Sequence, residues 1–193
     1  MKTQLFATLA LCAFAAAAHA APPCSMKTDE YNTTPLLYSA LHGDTKNVRC
    51  LLDSGMDPNA ADVNGDTPLM SAVVNGHTET ARVLLEKGAN VNAANSVGRT
   101  ALISAVWGGD FPETVTLLLD KGAKIDATNE DGKTALMQAA EDAQIETAKL
   151  LIKKGANVNA ANKRGFTVLQ FAESNSRSRT ELVPILKEAG AKK

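Results

Sequence analysis

The chain has 193 residues, 45% of them hydrophobic and only 4% aromatic, with 20 basic residues against 21 acidic for a formal charge of −1. That balance excludes the bulk positive charge of a nucleic-acid binder, and no nucleic-acid partner is expected. The length allows one domain with a substantial core, and scarce aromatics beside abundant alanine suit closely stacked helices better than a sandwich of sheets.

Residues 1–20, MKTQLFATLALCAFAAAAHA, carry one early lysine, an apolar run and a small-x-small ending at Ala18, His19 and Ala20. This is the pattern of a secretory signal peptide cut after Ala20. The uninterrupted apolar stretch is shorter than the ~20 residues a spanning helix needs, and Pro22 and Pro23 follow at once, so no membrane span is expected in the mature chain. Cys12 makes a poor lipidation site, because Leu11 stands where a small residue is needed. Losing Lys2 with the leader moves the formal charge by one unit, to −2. Export implies a periplasmic location, which is oxidising, and the mature chain keeps two of the three cysteines, Cys24 and Cys50. A Cys24 to Cys50 disulfide is expected, fastening the N-terminal segment 21–28 onto the chain around Cys50. The alternative is that Cys50 is a small buried residue on an apolar helix face and Cys24 a free thiol.

From residue 29 onward the sequence repeats. Thr34, Thr67, Thr100, Thr134 and Thr167 begin TPLLYSALHGD, TPLMSAVVNGH, TALISAVWGGD, TALMQAAEDAQ and TVLQFAESNS, at intervals of 33, 33, 34 and 33 residues. Self-similarity at this spacing means a stack of supersecondary units, here 29–61, 62–94, 95–128, 129–161 and 162–193. In each unit the threonine hydroxyl can cap a short inner helix, with Pro35 or Pro68 at the first helical position, where no donor is needed. Leu69, Ala72 and Val73 give that helix a small apolar face. Gly43, Gly76 and Gly109 fall where the chain must reverse, a place for positive φ. An outer helix comes next, as in TETARVLLEKG, with Ala81, Leu84 and Leu85 inward and Glu79, Arg82 and Glu86 in water. Gly55, Gly88, Gly122 and Gly155 end it. Polar stretches with a glycine fourth from an Asp or Asn, such as ADVNGD and ANSVGR, then read as hairpin turns. The octapeptide GANVNAAN, present at 88–95 and at 155–162, is helix stop plus descending hairpin arm.

The pattern Asp/Asn-x-x-Gly-x-Thr-Pro-Leu, then Ala, Gly-His, Leu-Leu and Gly-Ala-Asn-Val-Asn, resembles the ankyrin repeat family over residues 29 to 190. The resemblance implies an all-α ankyrin repeat solenoid of about five helix-pair units with projecting β-hairpin loops, and a groove formed by hairpin tips and inner helices. Three departures stand out. Ala143 replaces the turn glycine of the fourth unit, WGGDFPE at 107–113 carries one extra residue, and the last unit has a lengthened loop, SNSRSRT, with Pro184 in the first turn of its outer helix. Terminal units face solvent on one side and are expected to be atypical. The central insertion has no such explanation.

Catalytic residues are sparse. The mature chain has only His42 and His77, with no His-Glu-x-x-His, Gly-x-Ser-x-Gly or paired Cys-x-x-Cys pattern. The resemblance places His77 at the usual turn histidine, whose role is a structural hydrogen bond. Asp62 to Asp66 begins like a calcium loop, but Val73 stands where the bidentate acid is needed. No catalytic residue, metal or cofactor is expected, and the chain is expected not to be an enzyme.

If the fold is as the resemblance implies, the positions free of structural duty are two before the hairpin glycine, one after it, and two before the turn glycine. At the tips these are Val63, Asn64 and Asp66; Ser96, Val97 and Arg99; Glu130, Asp131 and Lys133; and Lys163, Arg164 and Phe166. The inner helices add Leu41 and His42, Val74 and Asn75, Trp107 and Gly108, and Glu141 and Asp142. Trp107 is the only tryptophan, and tryptophan is enriched in binding hot spots. The alternative is that it folds over Phe111 and Pro112 to bury the irregular turn. The acidic tips of the fourth unit and the basic tips of the fifth suggest a partner of opposite polarity along the groove.

The function expected is a periplasmic, non-enzymatic module that binds one folded protein and is a monomer when unbound. By analogy with exported antagonists it is read as an inhibitor or immunity protein against an envelope hydrolase or toxin. The alternatives are an envelope accessory factor supporting oxidative-stress resistance, and a hydrolase or metalloprotein of unrecognised type.

Overall fold

The computed structural model describes residues 24–27 and 34–192; the expected signal peptide and the first residues of the first unit lie outside the described residues. The repeated threonines organise the whole stack. Each is extended in backbone, and its hydroxyl accepts the N–H three residues on: Leu37 at 3.3 Å, Met70 at 3.3 Å, Ile103 at 3.5 Å, Met137 at 3.2 Å and Gln170 at 3.4 Å. Behind these caps run five short inner helices, α1 (Pro35–Leu41), α3 (Pro68–Val73), α5 (Ala101–Gly108), α7 (Ala135–Glu141) and α9 (Val168–Ser174). The outer layer is α2 (Thr45–Asp53), α4 (Thr78–Glu86), α6 (Pro112–Asp120), α8 (Ile145–Lys153) and α10 (Ser176–Glu188). Each inner helix packs on its own outer helix and on the next inner one, giving two parallel rows. The core between the rows is built from small and medium aliphatics, with Leu36, Leu69, Leu102, Leu136 and Leu169 at matching positions beneath the caps, all essentially buried. Burial of one such leucine stabilises by about 1.5–3 kcal/mol.

The projecting loops are hairpins of minimal length. Among the described residues they contain no strand, only single antiparallel bridges from Ala94 to Thr100, Thr128 to Thr134 and Ala161 to Thr167. An Asx turn closes each one. In the second unit Asp62 Oδ1 accepts the amides of Asn64 and Asp66 at 2.9 and 2.8 Å, and Asn95, Asn129 and Asn162 repeat the arrangement. The arms are too short to extend a ladder because the side chain already supplies the acceptor that a longer strand pair would provide.

GANVNAAN gains a second meaning in three dimensions. Asn59, Asn92 and Asn159 each reach into the following unit, donating from Nδ2 to the carbonyl of the next helix-stop glycine (Gly88, Gly122, Gly190) at 3.0–3.2 Å. Each also accepts, on Oδ1, the amide two residues beyond that glycine, at Asn90, Lys124 and Lys192. The third unit has Asp126 at this place. It accepts from Asn157 at 2.9 Å, but a carboxylate has no N–H to offer the Gly155 carbonyl.

At the N-terminal end Cys24 is bonded to Cys50 of α2, as expected. Asn47 clamps the same segment, with Ser25 N–H donating to Oδ1 at 2.7 Å and Nδ2 donating to the Ser25 carbonyl at 2.9 Å.

Three local expectations are corrected. SNSRSRT is not a long loop: Asn175 caps α10 by accepting from Arg177 and Ser178, and fully buried Ser178 donates to the Ala140 carbonyl at 2.6 Å, so the helix begins at Ser176. Pro184 accordingly lies deep inside that helix, on its exposed side, where the missing N–H is least harmful. Gly109, with φ 160, is extended backbone rather than left-handed, because the extra residue lets α5 run on to Gly108. Ala143 does adopt the left-handed turn, at φ 54. A Cβ at Gly43 or Gly76 would meet the ring of His77 or Phe111 from the next unit at 2.6–2.7 Å; the unit after Ala143 has Asn175 rather than a ring at the equivalent place, donating to the Glu141 carbonyl at 2.9 Å.

Candidate protein-docking groove

The hairpin tips are tied together along the stack. Ser96 N–H donates to the Asn64 carbonyl at 2.9 Å, Glu130 to Val97 at 3.0 Å and Lys163 to Asp131 at 2.9 Å. Main-chain bonds therefore fix the spacing of the tip side chains. The tips and the inner helices carry almost all the exposed apolar bulk. Six large hydrophobic residues are exposed among the described residues, and five of them are Leu41, Val63, Val97, Trp107 and Phe166; the sixth is Met26. Val63 is 100% exposed and Trp107 55%, a tryptophan position that packing alone does not require.

More than half of the Trp107 surface stays open beside the irregular turn. The Arg99 guanidinium, from the preceding hairpin tip, lies 4.6 Å from the centre of its ring. Phe111 instead fills the place that His77 takes one unit earlier, against Gly76 and Gly109. The insertion also replaces a lost contact. Thr45 and Thr80, then Thr78 and Thr114, share hydroxyl bonds of 2.7 Å between adjacent outer helices. Pro112 has no hydroxyl with which to continue the series. Asp110 takes over, accepting from Thr147 N and Oγ1 at 3.0 and 2.6 Å.

Several positions expected to be free have structural duties. Gly108 is the clearest, since a Cβ there would stand 1.7 Å from the Val74 carbonyl oxygen, and only glycine allows α5 this close to α3. Asp66 accepts from Asn95 Nδ2 at 2.7 Å, and Asn75 Nδ2 donates to the Leu41 carbonyl at 2.9 Å. Asp142 accepts from Gln138 at 2.6 Å, and Lys133 pairs with Glu141. His42 stacks on Tyr38 with ring centres 4.1 Å apart and bonds its carbonyl through Nδ1, while His77 Nε2 bonds the Leu41 carbonyl at 3.0 Å, the structural role expected of it. Asn64 also serves its turn through its backbone. Ser96, Glu130, Asp131, Lys163 and Arg164 project as exposed tip side chains.

Between the fourth and fifth units the groove deepens into a pocket of about 420 Å³, lined by Asp131, Lys133 and Glu141 on one side and Asn162, Arg164, Phe166, Gln170, Phe171 and Ser174 on the other. Phe166 and Phe171 form a tilted pair 6.3 Å apart, and Lys133 Nζ lies 4.9 Å from the Phe171 centre. Sequence reasoning missed Asn162, Gln170, Phe171 and Ser174. The available signal was Phe171, a bulky aromatic where the second and third units have Ser71 and Ser104. No group of three or more His, Cys, Asp or Glu side chains able to hold a metal ion occurs among the described residues. No helix among them is long and apolar enough to cross a membrane.

Paired helices stacked in two rows, with bonded hairpin tips beside an exposed groove, define a repeat scaffold for binding. The family model described as ankyrin repeats (3 copies) matches residues 9–95, 61–129 and 102–193, and the chain belongs to the ankyrin repeat family. Such repeats mark a protein–protein interaction module, generally without enzymatic activity. No curated protein matches the chain.

Proposed function

We propose that the chain is an exported periplasmic protein, monomeric when free, that uses this groove to bind one folded envelope protein and inhibits it in the manner of an immunity protein. It carries out no reaction of its own. The observation that carries the reading is the placement of exposed apolar bulk: among the described residues, five of six large exposed hydrophobics lie on tip or inner-helix groove positions. Contiguous exposed apolar surface rimmed by polar groups is characteristic of interaction sites. A groove spanning four hairpins can supply a standard interface of about 800 Å² on each partner. The leader-like residues 1–20 and the Cys24 to Cys50 disulfide support export to an oxidising compartment.

The test is capture from an envelope extract with wild-type and Trp107→Ala baits, followed by an activity assay of what is captured. The proposal expects one protein retained by the wild type, weakly held by the variant, and inhibited by added wild-type chain. Equal capture by both baits contradicts the groove. A captured redox enzyme whose activity is supported, with a deletion strain sensitive to peroxide, points instead to the accessory role in oxidative-stress resistance.

A further inference from the structure

The pocket between the fourth and fifth units has a definite charge arrangement. Lys133 and Glu141 neutralise each other, with side chains 21% and 37% exposed, and Lys133 is further held over Phe171. Asp131 and Arg164 are different. They occupy the same register on adjacent tips, each directly before the hairpin glycine, and neither makes an ion pair among the described residues. Their backbones are fixed, Asp131 accepting from Lys163 N and Arg164 N–H donating to Asn162 Oδ1. An acid on one wall and a guanidinium on the other thus stand over an apolar floor of Phe166 and Phe171.

We propose that this pocket is an anchor site for a segment of the protein partner in which one apolar side chain is flanked by a basic group and an acidic group. The apolar side chain covers the two phenylalanines, the basic group meets Asp131, and the acidic group pairs with Arg164. The volume, about 420 Å³, lies in the range of sites that enclose a small ligand group. A purely acidic or purely basic segment leaves one wall facing a like charge, so the pocket selects for the mixed pair. The inference rests on the groove being the docking surface and names the chemistry it accepts at one end.

The test uses acetylated, amidated tripeptides titrated into the isotopically labelled full mature chain, followed by NMR. Arg-Phe-Glu is expected to bind with a dissociation constant of about 1–10 mM, shifting the Phe166 and Phe171 ring signals. Gln-Phe-Gln is expected to bind about tenfold more weakly, and Asp131→Ala or Arg164→Ala to weaken Arg-Phe-Glu about threefold each, as exposed ion pairs do. Equal binding of the neutral peptide, indifference to both variants, or absence of any shift at the phenylalanine rings each overturns the proposal. None of those results touches the docking role of Trp107, which the bait comparison tests separately.

Discussion

Exchanging the inter-unit bridging residues of the second and third units is expected to move stability in opposite directions. Asp126→Asn adds an Nδ2 donor where Asn59, Asn92 and Asn159 already donate to the next helix-stop carbonyl at 3.0–3.2 Å, and the acceptor bond from Asn157 at 2.9 Å is retained. One additional neutral hydrogen bond contributes about 0.5–1.5 kcal/mol net, which for a chain of this size raises Tm by about 1–6 °C. Asn92→Asp keeps the bond from Lys124 and loses the one to Gly122, so stability falls by a similar amount. Thermal and urea unfolding followed by far-UV circular dichroism read both changes. If Asp126→Asn is neutral or destabilising while Asn92→Asp has no effect, the bridge between units does not hold the stack as described.

Gly108→Ala is expected to cost about 3 kcal/mol by urea unfolding, because the new methyl group overlaps the Val74 carbonyl. Gly109→Ala, whose Cβ would meet only the Phe111 ring at 3.0 Å, should stay within about 1 kcal/mol. Trp107→Ala is expected to leave the unfolding midpoint nearly unchanged, since the ring is 55% exposed, and to weaken the captured partner by about 2 kcal/mol or more in a titration. Cys50→Ser, which opens a closure of 26 residues, is expected to lower unfolding free energy by about 3 kcal/mol, with a denaturant slope no smaller than the wild type's because the unfolded chain is less constrained.

The sequence carried most of the fold because its signals are local. A threonine hydroxyl caps the amide three residues on, and a glycine stops the helix just behind it, so the 33-residue period is written within each unit. The contacts that join units were hidden for the opposite reason. Asn92 and Gly122, or Gln144 Nε2 donating to the Val106 carbonyl at 2.5 Å, pair residues 30 or more apart, and nothing in the neighbouring letters marks which polar side chain turns along the stack. The groove was readable as a set of positions. Which of those positions are already engaged depends on pairings the local letters do not mark: Asp66 takes the Asn95 side-chain amide and Asn75 bonds the Leu41 carbonyl across units, while Glu141 pairs with Lys133 within its own unit. The central insertion became intelligible only with Asp110 seen bonded to Thr147, since its role is to restore a contact that Pro112 cannot make.

Hydrogen exchange of the mature chain, measured free and saturated with its captured partner, tests the docking surface most directly. Binding through the groove predicts added protection at the tips 63–66, 96–99, 130–133 and 163–166 and at the inner-helix ends near Leu41 and Trp107, with α2, α4, α6 and α8 unchanged. Protection concentrated on those outer helices, with the tips exchanging as in the free chain, would contradict it.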